Sequence, residues 1–182
     1  LLNCPFVVLQ EAFATTETAA FADLLLPAAS WGEKQGSVTN SERRVSHVRQ
    51  AVAAPGEARA DWAITVDFAQ RLERFLRPGL PSLFAFDSAA RVFDEYKGLT
   101  RGRDLDLSGL SHELLDRLGP QQWPFPEGAT QGTERLYVHG IFPTANGRAR
   151  FVSDPYVAAK EQRDARFPLT LITGRLRDQW HG

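Results

Sequence analysis

Methionine is absent from all 182 residues, position 1 included. A complete natural reading frame starts with one, so its absence predicts a fragment of a longer polypeptide. Cysteine occurs once, as Cys4. That excludes a disulfide within the chain, and any iron–sulfur or zinc site built from this chain's cysteines alone. No apolar run is long enough to span a bilayer, and no targeting segment precedes the first strand-like run. An excess of one charge sign is also missing: 21 Lys and Arg face 22 Asp and Glu, so nothing argues for a nucleic-acid or polyanion partner. What is present is the balance of a soluble globular protein, long enough for one domain with a core, or one domain and the start of another.

Phe6 to Gln10 is an uninterrupted apolar run ending in a polar residue. It predicts a strand buried on both faces, as in a parallel sheet. Thr15 and Thr16 offer hydroxyl caps for a short helix from Glu17 to Phe21. Asp23 to Leu26 predicts a second strand, stopped by Pro27, which gives a βαβ arrangement. Residues 30–44 are polar and carry Gly32 and Gly36, and read as an ordered loop. Trp62, Val66, Ala69, Leu72 and Leu76 fall on one helical stripe, predicting a helix from Asp61, its N-cap, to about Leu76. Two more helices are expected over Ser88–Tyr96 and Ser111–Leu118, the latter closed by Gly119.

Residues 119–134 read as surface loop. Leu136–Val138 and Ala149–Val152 are expected to pair as strands across Asn146-Gly147, a hairpin signal. Asp154 to Arg166 reads as a polar connector, and Pro168 to Ile172 as a new strand. The composition shift near residue 155 is the best domain boundary. The chain then ends in a polar stretch, Thr173-Gly174-Arg175-Leu176-Arg177-Asp178-Gln179-Trp180-His181-Gly182, dense in donors and acceptors.

That stretch resembles the pterin-contacting loop of molybdopterin-dependent oxidoreductases, in the form found in bacterial assimilatory nitrate reductases. Four further blocks carry the resemblance in register: Ala22 to Ala29; Trp31 to Gly36 with Thr39 to Arg44; Pro55 to Trp62; and Gly147 to Phe151. Together they cover nearly the whole chain. The family usually has a hydroxyl residue after the histidine, where this chain has Gly182.

The resemblance implies an α/β fold. Residues 1–155 would be the end of a parallel-sheet dinucleotide-binding domain with its linker. Residues 165–182 would begin a C-terminal β-barrel domain that covers the pterins. It implies a molybdenum held by two molybdopterin guanine dinucleotides, with a 4Fe–4S cluster whose ligands lie outside this chain. The intact enzyme would reduce nitrate to nitrite in the cytoplasm, taking electrons from a donor protein or domain. No residue here is then catalytic or a metal ligand, and this chain by itself would be inactive. A formate dehydrogenase or another family member is the alternative. A non-catalytic nucleotide-binding module is the alternative of another class.

Each candidate site residue has chemistry suited to such a cofactor. Glu11 and Ala12 lie just past the first strand's carboxyl end, where open α/β sheets bind ligands. Lys34 matches the family's loop lysine and suits a phosphate or a guanine carbonyl. Asp61 matches the family's guanine-contacting aspartate, whose carboxylate accepts two parallel N–H bonds. Thr173, Gly174, Arg175, Leu176, Arg177, Asp178, Gln179, Trp180, His181 and Gly182 form the loop itself, with Arg175 a planar donor fork and Gln179 and His181 able to donate and accept. Arg43, Arg44, His47 and Arg49 form a basic cluster that could draw an anionic substrate by its local field, but such a cluster is more often a solvated or salt-bridged face, with Glu42 an obvious partner. Asp23 is expected in a strand-edge structural role and Cys4 in packing.

Overall fold

The computed structural model describes residues 3–158, 160, 161, 163–171 and 174. The chain divides into two compact units, Leu1–His139 and Gly140–Gly182. All the regular secondary structure of the described residues lies in the first.

In that unit, strand β1 (Val8–Glu11) pairs in parallel with β2 (Leu24–Pro27), Gln10 opposite Leu26 and Glu11 opposite Pro27. The connection carries a 3-10 helix, Glu17–Phe21. The expected βαβ order is thus present in miniature, but two details differ. Thr16 is the N-cap residue, yet its hydroxyl makes no capping bond. And β1 is not buried on both faces: Val8 and Gln10 are exposed. A two-stranded sheet has too few layers over it to bury both faces. Asp23 does hold the strand edge, accepting from Val7 N at 2.7 Å. Cys4 is exposed rather than packed, its thiol donating to Phe6 O at 3.4 Å.

The parallel order extends one step further. Ala28 bridges Arg59 in parallel, with Arg59 N donating to Pro27 O and Ala29 N to Arg59 O. The chain then enters helix α1 (Asp61–Leu76) two residues later. Its bounds match the sequence pattern, but its stripe is only partly buried: Ile64 and Val66 are in the core, while Leu72 and Leu76 are exposed.

Residues 30–44, expected as loop, hold a 3-10 turn (Trp31–Glu33), strand β3 (Gly36–Thr39) and the start of β4 (Arg44–Val48). β3 and β4 form an antiparallel hairpin, and β5 (Gln121–Gln122) joins the far side of β4. Helices α2 (Ala89–Thr100) and α3 (His112–Leu118) pack on this sheet. Both helices begin at a serine whose side chain caps: Ser88 accepts from Arg91 N, and Ser111 from Leu114 N. α2 runs four residues past the expected end at Tyr96 because Lys97–Thr100 continue the helix onto the core, where Thr100 is buried.

The core unites Val45, Phe93, Leu107, Leu110, Leu115 and Phe125. Phe125 lies in the segment read as surface loop, yet it is fully buried. Phe125 N donates to Asp106 O at 2.7 Å, and Gly109 N to Phe125 O at 3.0 Å, which knits the segment into the fold.

One wall of this core is a stack of rings. His47 lies on His112 with centroids 4.0 Å apart, and His112 lies near Phe93 at 5.6 Å. Ser37 Oγ bonds His112 Nε2 at 2.9 Å, and Asp116 Oδ1 bonds His47 Nδ1 at 2.8 Å. Burial, then the neighbouring His47, hold His112 below the ordinary imidazole range, against Glu113, Asp116 and Asp94, which pull the other way. The unfolded chain therefore binds a proton that the fold resists. Stability is complete above the ordinary pKa of about 6.5, falls as pH drops below it, and levels off once the folded form also protonates. Urea unfolding midpoints of the chain between pH 8 and pH 5 should decline on the acid side. His112→Gln, which keeps a polar partner for Ser37, should flatten the decline; an unchanged slope would remove His112 as its cause.

The second unit holds no strand among its described residues. The expected turn is present: Phe142 N donates to Gly147 O, and Gly147 takes φ 69°. The flanking strands are not. Tyr137, still in the first unit, sits at φ 57°, outside the β region. Pro168–Leu171 likewise pair with no strand among the described residues, and Ile172 lies outside them.

Candidate cofactor-binding site

The polar groups gather where the parallel strands end and α1 begins. Gln10, on the last turn-facing stretch of β1, donates through Nε2 to Asp61 Oδ1 at 2.7 Å. Lys34 donates to the other oxygen, Oδ2. Asp61 is the first residue of α1, and its N-cap is Ala60, not Asp61 as expected. A capping carboxylate would turn back onto the helix's own N–H groups; this one turns outward to Lys34 and Gln10. Its charge still lies at the positive end of the helix. The Lys34 hydrogen bond, above all, holds the Asp61 carboxyl below its ordinary range, with Gln10 adding to the effect.

Lys34 is delivered by the 3-10 turn before it. Glu33 does not enter the site: its carboxylate folds back to accept from Ser30 N at 2.8 Å. That leaves Lys34 extended and aimed at Asp61, with its ammonium 5.8 Å from the Trp31 ring centre. Trp31, Lys34, Asp61 and Trp62 line a cavity of about 240 Å³ together with Gly36, Ser37 and Val38. That is below the ~300–1,000 Å³ of sites for whole drug-sized ligands. It suits one ring system with flat indoles beside it, an acceptor for its N–H groups, and a cation for its carbonyl.

Glu11 and Ala12 are one residue past Gln10 but are turned on themselves. Glu11 Oε1 accepts from Ala12 N at 2.7 Å and from Phe13 N at 3.3 Å. The carboxylate thus occupies the two backbone donors at the strand exit.

The structure therefore brings Lys34 and Asp61 into direct contact, and Glu11 and Ala12 onto the neighbouring strand end. Gly174 is exposed, in the second unit. Thr173, Arg175, Leu176, Arg177, Asp178, Gln179, Trp180, His181 and Gly182 lie outside the described residues. Gln10 was missed, as were Trp31 and Trp62 as walls. A polar residue closing an apolar strand, directly before Glu11, was the available signal for Gln10. Two members of the basic cluster are salt-bridged, Arg44 to Glu42 at 3.4 Å and Arg49 to Asp116 at 2.7 Å, and His47 hydrogen-bonds the same Asp116. Arg43 is committed to backbone carbonyls of residues 123–134. Among the described residues no cluster of three or more His, Cys, Asp or Glu is placed to hold a metal ion, and no helix is long and apolar enough to cross a membrane.

The fold is thus mixed α/β, with a small polar cleft walled by Trp31 and Trp62 between the β3–β4 hairpin and the start of α1, beside the Gln10–Asp61 contact. The comparisons make this specific. Residues 1–71 match the molybdopterin oxidoreductase family. The whole chain aligns with a nitrate reductase of Synechocystis sp. at 44% identity and with an assimilatory nitrate reductase of Haloferax mediterranei at 38%. It also aligns over 97% of its length with an F420-dependent formate dehydrogenase 2 subunit alpha of Methanococcus maripaludis, at 39% identity. The chain spans about a quarter of the length of each of these relatives. The chain thus carries a molybdopterin oxidoreductase match over residues 1–71 and is similar along its length to enzymes named as nitrate reductases and formate dehydrogenases; that family implies a molybdopterin-bound molybdenum.

Proposed function

We propose that this chain is part of the catalytic subunit of a molybdenum nitrate reductase, and that it binds the guanine dinucleotide form of the cofactor. The observation that carries the reading is the Gln10–Asp61–Lys34 cluster beside a ring-sized cleft, in a chain 38–44% identical to several nitrate reductases. In this reading the Asp61 carboxylate accepts the N–H pair of the guanine edge. Lys34, with donors left after the bond to Asp61, meets a phosphate or the guanine carbonyl. Glu11 and Ala12 border the nucleotide at the strand exit. Residues 173–182 contact the pterin, with residues 1–155 ending the α/β domain and 165–182 opening a β-barrel domain. When bound, the molybdenum supplies the oxygen-atom transfer that takes nitrate to nitrite. An iron–sulfur cluster and a donor protein or domain, both outside this chain, deliver the electrons, and the enzyme works in the cytoplasm.

Asp61→Ala in the complete polypeptide tests the cofactor part. A carboxylate paired with two base N–H groups is worth ~1–3 kcal/mol. Guanine nucleotide released from the purified variant should fall about tenfold or more relative to the parent. Undiminished guanine and molybdenum content would take Asp61 out of the site. The formate dehydrogenase relative supports a second reading of the substrate. Assaying the complete polypeptide with nitrate and with formate separates the two, and lack of either activity with molybdenum bound would sink both.

A further inference from the structure

Gln10 stands out because its side chain crosses from β1 to the first residue of α1, 51 positions later. An ionised carboxylate only accepts, so the Gln10 amide must present its nitrogen to Asp61. Lys34 and Gln10 bind different oxygens of Asp61. A carboxylate has about four lone-pair directions, two on each oxygen. The two bonds therefore leave one free direction on each oxygen, room for one further N–H on each. The terminal torsion of an aspartate is otherwise broad and roughly two-fold. Held by Lys34 alone, on a long flexible stem, the carboxylate could rotate about its own axis. Two clamps on opposite oxygens, one from a strand and one from a turn, fix its plane. Asp61 remains about half exposed, so the free edge is reachable.

We propose that Gln10 is a positioning residue that sets the plane of the Asp61 carboxylate, and thereby makes the site selective for a purine carrying two adjacent N–H donors over one carrying a single N–H. This rests on the reading of Asp61 as the guanine acceptor. A ligand with one N–H, such as hypoxanthine, needs only one acceptor and tolerates a rotating carboxylate. Guanine, with its ring N–H and exocyclic amine, gains its second bond only if the plane is set.

The test compares GDP and IDP binding by calorimetry to the complete polypeptide, purified free of cofactor. The parent should prefer GDP by about tenfold or more, the lower range for a second well-formed polar contact to a base. In Gln10→Leu the preference should shrink to within about twofold, while IDP affinity stays close to the parent's; retained IDP binding also shows that the site is folded. Gln10→Glu supplies the second variant. At pH 8 two carboxylates face each other and the GDP preference should be lost. As pH falls toward 5 the added carboxyl protonates, becomes a donor, and the preference should return. Equal weakening of GDP and IDP in both variants, or an unchanged preference, would overturn the positioning role. A parent that binds neither nucleotide, or an Asp61→Asn variant that keeps the full preference, would instead overturn the guanine reading beneath it.

Discussion

Phe125→Ala is expected to destabilise the first unit by about 3–5 kcal/mol, the range for removing a buried aromatic side chain from a close-packed core. Phe125 is fully buried, beside Leu107, Leu110 and Leu115. The surroundings have little room to collapse into the space. On one side the chain is held by Phe125 N to Asp106 O and Gly109 N to Phe125 O, so the backbone cannot simply follow the lost ring. On the other, an alanine-like Cβ at Gly109 would sit 2.9 Å from Phe125 Cδ1, so the ring already rests directly on backbone. Urea unfolding of the chain, followed by far-UV circular dichroism, reads the change. A loss below about 1 kcal/mol would mean that the ring is not core, and that residues 119–134 are the surface loop their composition suggests.

Arg43→Ala should be the next most damaging change, and for a polar reason. The guanidinium donates to the carbonyls of Trp123, Thr133 and Glu134, and lies 5.5 Å from the Trp123 ring centre. Alanine leaves those acceptors without their donor and removes the ring contact. Hydrogen bonds to a charged group contribute ~1.5–3 kcal/mol each. They are not additive within one side chain, so a total of about 3 kcal/mol is expected. The residue also sits at φ 65°, where a non-glycine residue is strained. Arg43→Gly would relieve that strain while losing the same bonds, so it should be less harmful than Arg43→Ala by up to about 1 kcal/mol. If both variants unfold at the parent's urea midpoint, Arg43 is a surface cation and not a clamp.

How much of this was legible depended on how local the cause was. α1 was readable in extent, though not in its N-cap, because Pro55-Gly56 precede it and an apolar stripe runs through it. α3 was readable because Ser111 caps it and Gly119, at φ 75°, ends it. The 3-10 helix and the two parallel strands followed from short apolar runs around Glu17–Phe21. The β3–β4 hairpin was not readable. Gly36–Thr39 is small and polar, and β4 is interrupted by Ser46 and His47; their place in a sheet depends on helices that arrive later in the chain. β5 is two residues long, too short for any periodicity to show. Asn146-Gly147 gave its turn but no strands, because a turn is local and a ladder is not. At the site, Lys34 and Asp61 were found through motif resemblance. Gln10 was not, since its partner lies on another element and only the folded chain brings them together.

The clamp at Arg43 has a bearing on the order of assembly. Its partner Trp123 lies 80 positions further along the sequence, and β5 must return across three helices to reach β4. Closing so long a loop is entropically uphill until the last contacts form, although each doubling of its length adds only ~0.6 kcal/mol. The hairpin and the helices can form from near neighbours. The seam between β4 and β5 cannot, and neither can the packing of α3 on the sheet, where Ser37 meets His112 across 75 positions, so these distant contacts are expected to close after the local elements form. Until they close, Phe125 cannot take its place among Leu107, Leu110 and Leu115, and the polypeptide exposes those apolar side chains for as long as that search takes.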